Sequence, residues 1–291
     1  MKSGFVCLVG RSNVGKSTIL NRIIGKKISI VSPKSQTTRN SIQGIYNDDE
    51  SQIVFIDTPG IHKPKSVLGE QMDKISYSSI RDCDLAIFVV DASKAFNDGD
   101  QYLLDHLKFD CKVVIVLNKI DETNVELVKQ LNDIYKDHYK PIKIVQTCAF
   151  DGFGIEELIN TIKENLDEGP QYYDVTQTTN KDISFRVQEI IREKMLLLLK
   201  EEVPHCTTVV CEQIDDSEYP TIIYAKIVVE KESQKGIVIG NRGKMIKRIG
   251  TYARQDIEKM LGKHINLQLS VQVVENWRNS SRFLVKNGFN S

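Results

Sequence analysis

The chain has 291 residues, 41% of them hydrophobic, and its 39 Lys and Arg are balanced by 39 Asp and Glu. Its length exceeds one typical domain and its apolar content can fill two cores, while zero net charge excludes nucleic-acid binding by bulk charge, so such a partner must meet a local patch. No stretch of about 18 apolar residues and no basic-then-apolar start is present, and the six cysteines (7, 83, 111, 148, 206, 211) form no C-x-x-C pair, so the expectation is a cytoplasmic protein with reduced, core-type thiols rather than a disulfide or zinc framework.

The first element is an apolar run, Phe5 to Val9, which reads as a strand and feeds the sequence GRSNVGKS at 10–17. A helix-compatible stretch, Thr18 to Ile24, follows. Strand, G-x-x-x-x-G-K-S loop and helix together bring backbone N–H groups and a helix N-terminus onto a polyphosphate. The expected nucleotide contacts therefore run through Gly10, Arg11, Ser12, Asn13, Val14, Gly15, Lys16, Ser17 and Thr18. Lys16 supplies a point charge for the β- and γ-phosphates, and the Ser17 hydroxyl a Mg²⁺ ligand. The next segment, 32–40 (SPKSQTTRN), is polar, has no periodicity and reads as a loop.

A second apolar run, Ile53 to Ile56, leads into Asp57-Thr58-Pro59-Gly60, and a third, Val113 to Leu117, into Asn118-Lys119-Ile120-Asp121. Ligands of open α/β sheets bind at the carboxyl ends of the strands, so these motifs fall on one edge of one sheet. Asp57 can hold Mg²⁺ through a water, and the Gly60 amide can approach a γ-phosphate unobstructed. The Asp121 carboxylate only accepts hydrogen bonds, which suits the N1–H and exocyclic amine of guanine; adenine offers no such donor pair. GTP and GDP are the nucleotides this selects.

In this order, each after its own buried-type strand, the motifs resemble those of the translation-factor-related GTPases. The resemblance makes Thr147-Cys148-Ala149, after Ile142 to Val145, the fourth motif, with the Ala149 amide directed at the guanine O6 and Cys148 standing where the family usually has serine. It makes 32–40 the first switch, with Thr38 as the threonine that closes onto Mg²⁺ and Thr37 as the alternative. Ser17, Thr38 and Asp57 are then the metal set, and Lys16, Thr38, Asn13 and Gly60 the residues acting on the reaction. Many small GTPases follow D-x-x-G with a glutamine that orients water, whereas this chain has Ile61, which implies slow intrinsic turnover. Asn13 resembles the asparagine that in related GTPases helps hold K⁺; its other reading is a turn-stabilising residue.

A boundary is expected near residue 170. The helix-like Ile155 to Leu166 ends in Asp-Glu-Gly-Pro170, and Gln171 to Lys181 is polar and aperiodic. We therefore expect domains at 1–170 and 182–291 joined by a linker, 171–181. In the second, Ile183 to Leu199 reads as an amphipathic helix, Thr207 to Ile214 and Thr221 to Val229 as strands around an acidic turn, and Ile265 to Val274 as a strand. A short connector leads to the segment 236–243 (GIVIGNRG), whose last four residues, Gly240-Asn241-Arg242-Gly243, enter a helix running to Leu261.

That G-x-x-G loop is like those of K-homology RNA-binding domains, where two glycines let the backbone clamp about four single-stranded nucleotides. From Lys235 to Lys263 eight basic residues face two acidic ones, a local excess suited to phosphates. Gly240, Asn241, Arg242, Gly243, Lys244, Lys247 and Arg248 are the expected RNA contacts.

All of this, together with the stretches QTTR at 36–39, DTPGIH at 57–62, FRVQEIIRE at 185–193, EVPH at 202–205 and SQKGI at 233–237, resembles the Era family of bacterial ribosome-assembly GTPases along essentially the whole chain. Ser12 departs from the proline common there. The resemblance implies an α/β P-loop GTPase domain, a mostly parallel sheet flanked by helices, followed by an α+β K-homology domain of type II. It also implies a monomer that binds the 3′ end of 16S rRNA within the 30S subunit, is gated by GTP, assists 30S maturation, and contacts the inner membrane peripherally.

Overall fold

The structure is a computed structural model that describes residues 1–217 and 219–289. Glu218 in the acidic turn, and residues 290–291 at the end of the expected second domain, lie outside the described residues. Residues 1–65 with 69–180 form one compact unit, and 181–289 a second.

The first unit contains, in order, β1 (Lys2–Val9), α1 (Lys16–Ile24), β2 (Ile42–Asn47), β3 (Ser51–Asp57), α2 (Val67–Arg81), β4 (Leu85–Asp91), α3 (Asp98–His106), β5 (Lys112–Asn118), α4 (Val125–Tyr139), β6 (Lys143–Thr147) and α5 (Ile155–Asn165). The six strands form one sheet in the order β2-β3-β1-β4-β5-β6, parallel except for β2. Strands β3 and β4 are buried at every position, as parallel strands covered on both faces must be. Successive side chains alternate between two cores: Val6, Leu8, Phe55 and Ile87 pack with Ile19 and Leu20 of α1 and Leu158 and Ile162 of α5, while Cys7, Val9, Phe88 and Ile115 pack with Leu103 of α3 and Leu131 and Tyr135 of α4. β1, β3, β5 and β6 all end where a motif begins, so one edge of the sheet gathers the four motifs.

The segment expected as a free linker is fastened to this unit. Ile45 N–H donates to Thr178 O at 3.0 Å. Fully buried Gln52 accepts from the Tyr172 and Tyr173 amides at 2.7 and 2.9 Å and donates to Tyr173 O at 2.8 Å. Tyr173 OH donates to Gln43 Oε1 at 2.7 Å. The division between units falls after Asn180 because polar side chains, invisible to a hydrophobic-period reading, do the fastening.

The second unit contains α6 (Ile183–Leu198), β7 (Thr208–Asp215), β8 (Thr221–Val229), α7 (Glu232–Ile239), α8 (Lys244–Leu261), β9 (Ile265–Val273) and α9 (Ser281–Lys286). β8 is central, antiparallel to β7 and parallel to β9. This α-β-β-α-α-β arrangement is the expected α+β domain. Its core joins Val187, Ile191 and Met195 of α6, Ile223, Ala225 and Ile227 of β8, and Ile249, Ala253 and Ile257 of α8. The short connector before Gly236 and the apolar run after it are together the helix α7. Gln234 opens it by accepting from the Glu230 and Lys231 amides at 2.9 and 3.1 Å, and only Val238 is fully buried, so no apolar period advertises it. Trp277 is fully buried and donates from Nε1 to Cys206 O at 3.0 Å. None of the six cysteines is in a disulfide.

Candidate functional site

The phosphate loop closes on α1 at Gly15 (φ 104°), and the helix opens with no side-chain cap and no acidic residue in its first turn. Its leading amides therefore face outwards with the positive end of the helix dipole, the arrangement that attracts an anion. Lys16 lies beside them, 6% exposed, donating to Gly10 O at 3.1 Å and Arg11 O at 2.7 Å. Burial lowers its ammonium to a pKa of about 8, against the pull of Asp57.

Three hydroxyl and carboxylate groups meet next to it. Ser17 Oγ donates to Asp57 Oδ2 at 2.6 Å and lies 3.0 Å from Thr38 Oγ1. Asp57 is fully buried, which raises its carboxyl above the ordinary range, and its Oδ1 has no hydrogen-bond partner. A buried, orphaned carboxylate oxygen beside two hydroxyls is a donor set that fits a hard divalent cation such as Mg²⁺. Of the two candidate threonines, Thr38 stands in this group, whereas Thr37 Oγ1 donates to Lys34 O at 2.6 Å within its own loop. Gly60 packs against the phosphate loop: a Cβ there would lie 2.5 Å from the Ser12 amide, so only glycine fits.

Ser12, Asn13, Gly15, Lys16, Ser17, Thr18, Thr38, Gly60 and Lys119 line one cavity of about 330 Å³ with Ile30, Val31 and the first residues of the first switch, Ser32 and Pro33. Asn118 bolts its walls together. Its Nδ2 donates to Val14 O at 2.8 Å, and its Oδ1 accepts from Thr147 Oγ1 at 3.0 Å and the Ala149 amide at 3.1 Å. The Ala149 amide, expected to point at a guanine oxygen, is thus engaged by Asn118. Lys119 takes the left-handed conformation (φ 65°) and donates to Asp91 Oδ2 at 2.7 Å. Burial would raise Asp91, yet Lys119 and Ser93 hold its carboxyl below the usual range. Asp121 is exposed, and Cys148, in the serine position, is buried, which raises its thiol above the ordinary range.

Some expected contacts are turned elsewhere. Arg11 Nη1 donates to Asn97 at 2.8 Å and Asp100 at 3.1 Å at the start of α3, so only its carbonyl faces the loop. Thr58 Oγ1 donates to Leu8 O at 2.7 Å, Pro59 O accepts from Ser76, and Val14 packs in the core, so these frame the site through the backbone. Gly10 likewise contributes its carbonyl, to Lys16 and to the Ile61 amide. Sequence reasoning missed Asp91, and it placed Thr147 in the fourth motif without its bond to Asn118; the partners of these two lie 28 and 29 residues away.

In the second unit Gly240 (φ 73°), Arg242 (φ 51°) and Gly243 (φ 76°) form a tight turn between α7 and α8. A Cβ at Gly240 would lie 2.6 Å from Met245 Cβ. Asn241, Arg242, Lys244, Lys247 and Arg248 are exposed along the loop and the start of α8. Beside them runs a groove of about 590 Å³ between α8 (Ile246, Gly250, Arg254) and β9 (Ile265, Leu267, Leu269). Its apolar floor was not foreseen, because it exists only through the parallel placement of β9. Arg254 is committed to both carboxylate oxygens of Glu258 at 3.0 Å.

Fold and sites define a P-loop GTPase carrying a K-homology domain. Residues 5–119 match the family model described as 50S ribosome-binding GTPase, and residues 202–278 match the KH domain. Two solved structures align with this chain over 100% of both partners at 36% identity: an Aquifex aeolicus Era variant bound to GDP·AlF₄⁻ (TM-score 0.95), and Era in complex with MgGDPNP and nucleotides 1506–1542 of 16S ribosomal RNA (TM-score 0.96). The chain belongs to the Era family of GTPases.

Proposed function

We propose that this protein is a GTP-hydrolysing switch that binds 16S rRNA near its 3′ end and assists maturation of the 30S subunit. The observation that carries this reading is the end-to-end match with Era in complex with that RNA segment, joined here to a cluster of half-buried Ser17 with buried Thr38 and Asp57 and an apolar groove beside a G-x-x-G loop. Lys16 and the first-turn amides of α1 hold the β- and γ-phosphates, and Asp121 reads guanine. Ser17, Thr38 and Asp57 would hold Mg²⁺, which would neutralise phosphate charge. Water attacks the γ-phosphorus, the bond to the β-phosphate oxygen breaks, and GDP and phosphate leave. Asn241, Arg242, Lys244, Lys247 and Arg248 meet the RNA backbone, while Ile246, Leu267 and Leu269 floor the groove for bases.

Order in the first switch, set by the γ-phosphate, biases RNA binding. Filter binding with 16S 3′-end RNA is expected to give tighter association with a non-hydrolysable GTP analogue than with GDP. Equal affinities would leave a constitutive RNA chaperone that uses GTP only structurally. The reading also includes a cytoplasmic monomer with peripheral inner-membrane contact, checked by cell fractionation. No helix among the described residues is long and apolar enough to cross a membrane.

Ile61 is buried (1% exposed) and cannot orient water, so another group must offset charge developing between the β- and γ-phosphates. We assign that role to K⁺ held with the help of Asn13. Single-turnover hydrolysis is expected to be faster in K⁺ than in Na⁺ at matched ionic strength, with the difference lost in Asn13→Ala. Equal wild-type rates would leave Asn13 with its structural bond, Nδ2 to Pro33 O at 2.7 Å, and point to a partner as the source of the missing group.

A further inference from the structure

The segment that follows Asp57-Thr58-Pro59-Gly60, a second switch beside the first, carries one polar ring that the reading above does not use. His62 Nδ1 lies 3.0 Å from Gly60 O, and its Nε2 lies 3.2 Å from Gln36 Nε2 in the first switch. A carbonyl only accepts, so Nδ1 bears the proton; Nε2 is then an acceptor and takes a hydrogen from the Gln36 amide. One neutral tautomer satisfies both bonds.

Both ends of this bridge bear on the site. Gly60 is the glycine packed on the phosphate loop, and the peptide that follows it is pinned twice: its carbonyl by His62, and its N–H, that of Ile61, by Gly10 O at 3.2 Å. Gln36 stands two residues before Thr38 and adopts φ 56°, a left-handed conformation that a residue with a Cβ holds only where its surroundings enforce it. The Ile61 side chain packs into the core behind the sheet, so it presents nothing to the pocket.

We infer that His62 is a positioning residue for hydrolysis, acting with Gln36 as a latch that joins the two switch segments so that Gly60 and Thr38 are set together. The inference rests on the reading of this cavity as the GTP site. It assigns His62 no proton transfer; its contribution is geometric, and misplacement of reacting groups by about 1 Å can cost a hundredfold in rate.

The test is a double-mutant cycle in the full-length protein. His62→Ala and Gln36→Ala are each expected to slow single-turnover GTP hydrolysis by roughly ten- to a hundredfold, with affinity for a fluorescent GTP analogue unchanged. The double variant should be no slower than the slower single one, because the two side chains act as one unit. His62→Asn, which keeps a donor near the Nδ1 position, should recover part of the rate. Losses that multiply, a His62→Ala protein at the wild-type rate, or a fall in GTP affinity in the alanine variants would each overturn the latch. Failure of the wild-type protein to bind GTP would instead strike the reading of the cavity beneath it.

Discussion

Asp121→Asn is expected to lower GTP affinity by roughly 10³-fold or more and to move preference to xanthosine triphosphate, since a site built around a hydrogen-bond pair rejects the mismatched base by about 10⁴–10⁵-fold. On the proposed reading the carboxylate would accept twice from guanine, whereas the asparagine amide would turn a donor towards the base donors. Xanthine presents an acceptor there and restores the pairing. Asp121 stands on the turn after β5, with the Cys148 thiol as its neighbour, so the substitution changes hydrogen-bonding character with little change in shape. Calorimetric titration with both nucleotides checks it; unchanged GTP affinity would remove Asp121 from the site. Lys16→Ala, for comparison, should abolish turnover under either nucleotide while leaving the second unit folded, because it deletes the buried ammonium at the phosphate loop.

The second large effect falls on RNA. Replacing Asn241 and Arg242 together by aspartate sets two negative charges on exposed positions of the turn between α7 and α8, where phosphates are expected to pass. Affinity for 16S 3′-end RNA should fall by at least about 10²-fold at moderate salt, as cationic contacts to phosphate are replaced by repulsion. Neither residue packs in the core of the second unit, so its fold should persist, and intrinsic GTP hydrolysis should continue. Wild-type affinity in filter binding would defeat the assignment of this loop as the clamp.

What could be read from the chain and what could not follow from where the determining partners lie. The phosphate loop, D-T-P-G and N-K-I-D are legible because backbone geometry demands particular residues at adjacent positions, and each follows an apolar strand. Thr38 could be preferred to Thr37 only by resemblance; in the fold it is the one beside Ser17 and Asp57. Arg11 reads as a nucleotide ligand until α3 is in place, because its partners Asn97 and Asp100 stand 86 and 89 residues away. Asp91 and Thr147 support Lys119 and Asn118 across strands, and nothing local to either announces it. The helix α7 escaped because its start depends on one glutamine and its burial on one valine. The groove beside α8 was invisible for a similar reason: β9 was legible as a strand, but its neighbour was not.

The strap over β2 bears on how this protein can be divided for study. A GTPase fragment cut at residue 170, where the composition suggests a boundary, would strip the outer strand of its cover and leave a row of backbone donors and acceptors, including the Ile45 amide, open to pairing with another chain. It would also strand the buried Gln52 carboxamide without the Tyr172 and Tyr173 amides that satisfy it. A fragment carried to Asn180 keeps its own edge closed. The ten residues after Pro170 therefore belong to the GTPase unit, and a fragment that keeps them is expected to resist the edge-to-edge association that the shorter one invites.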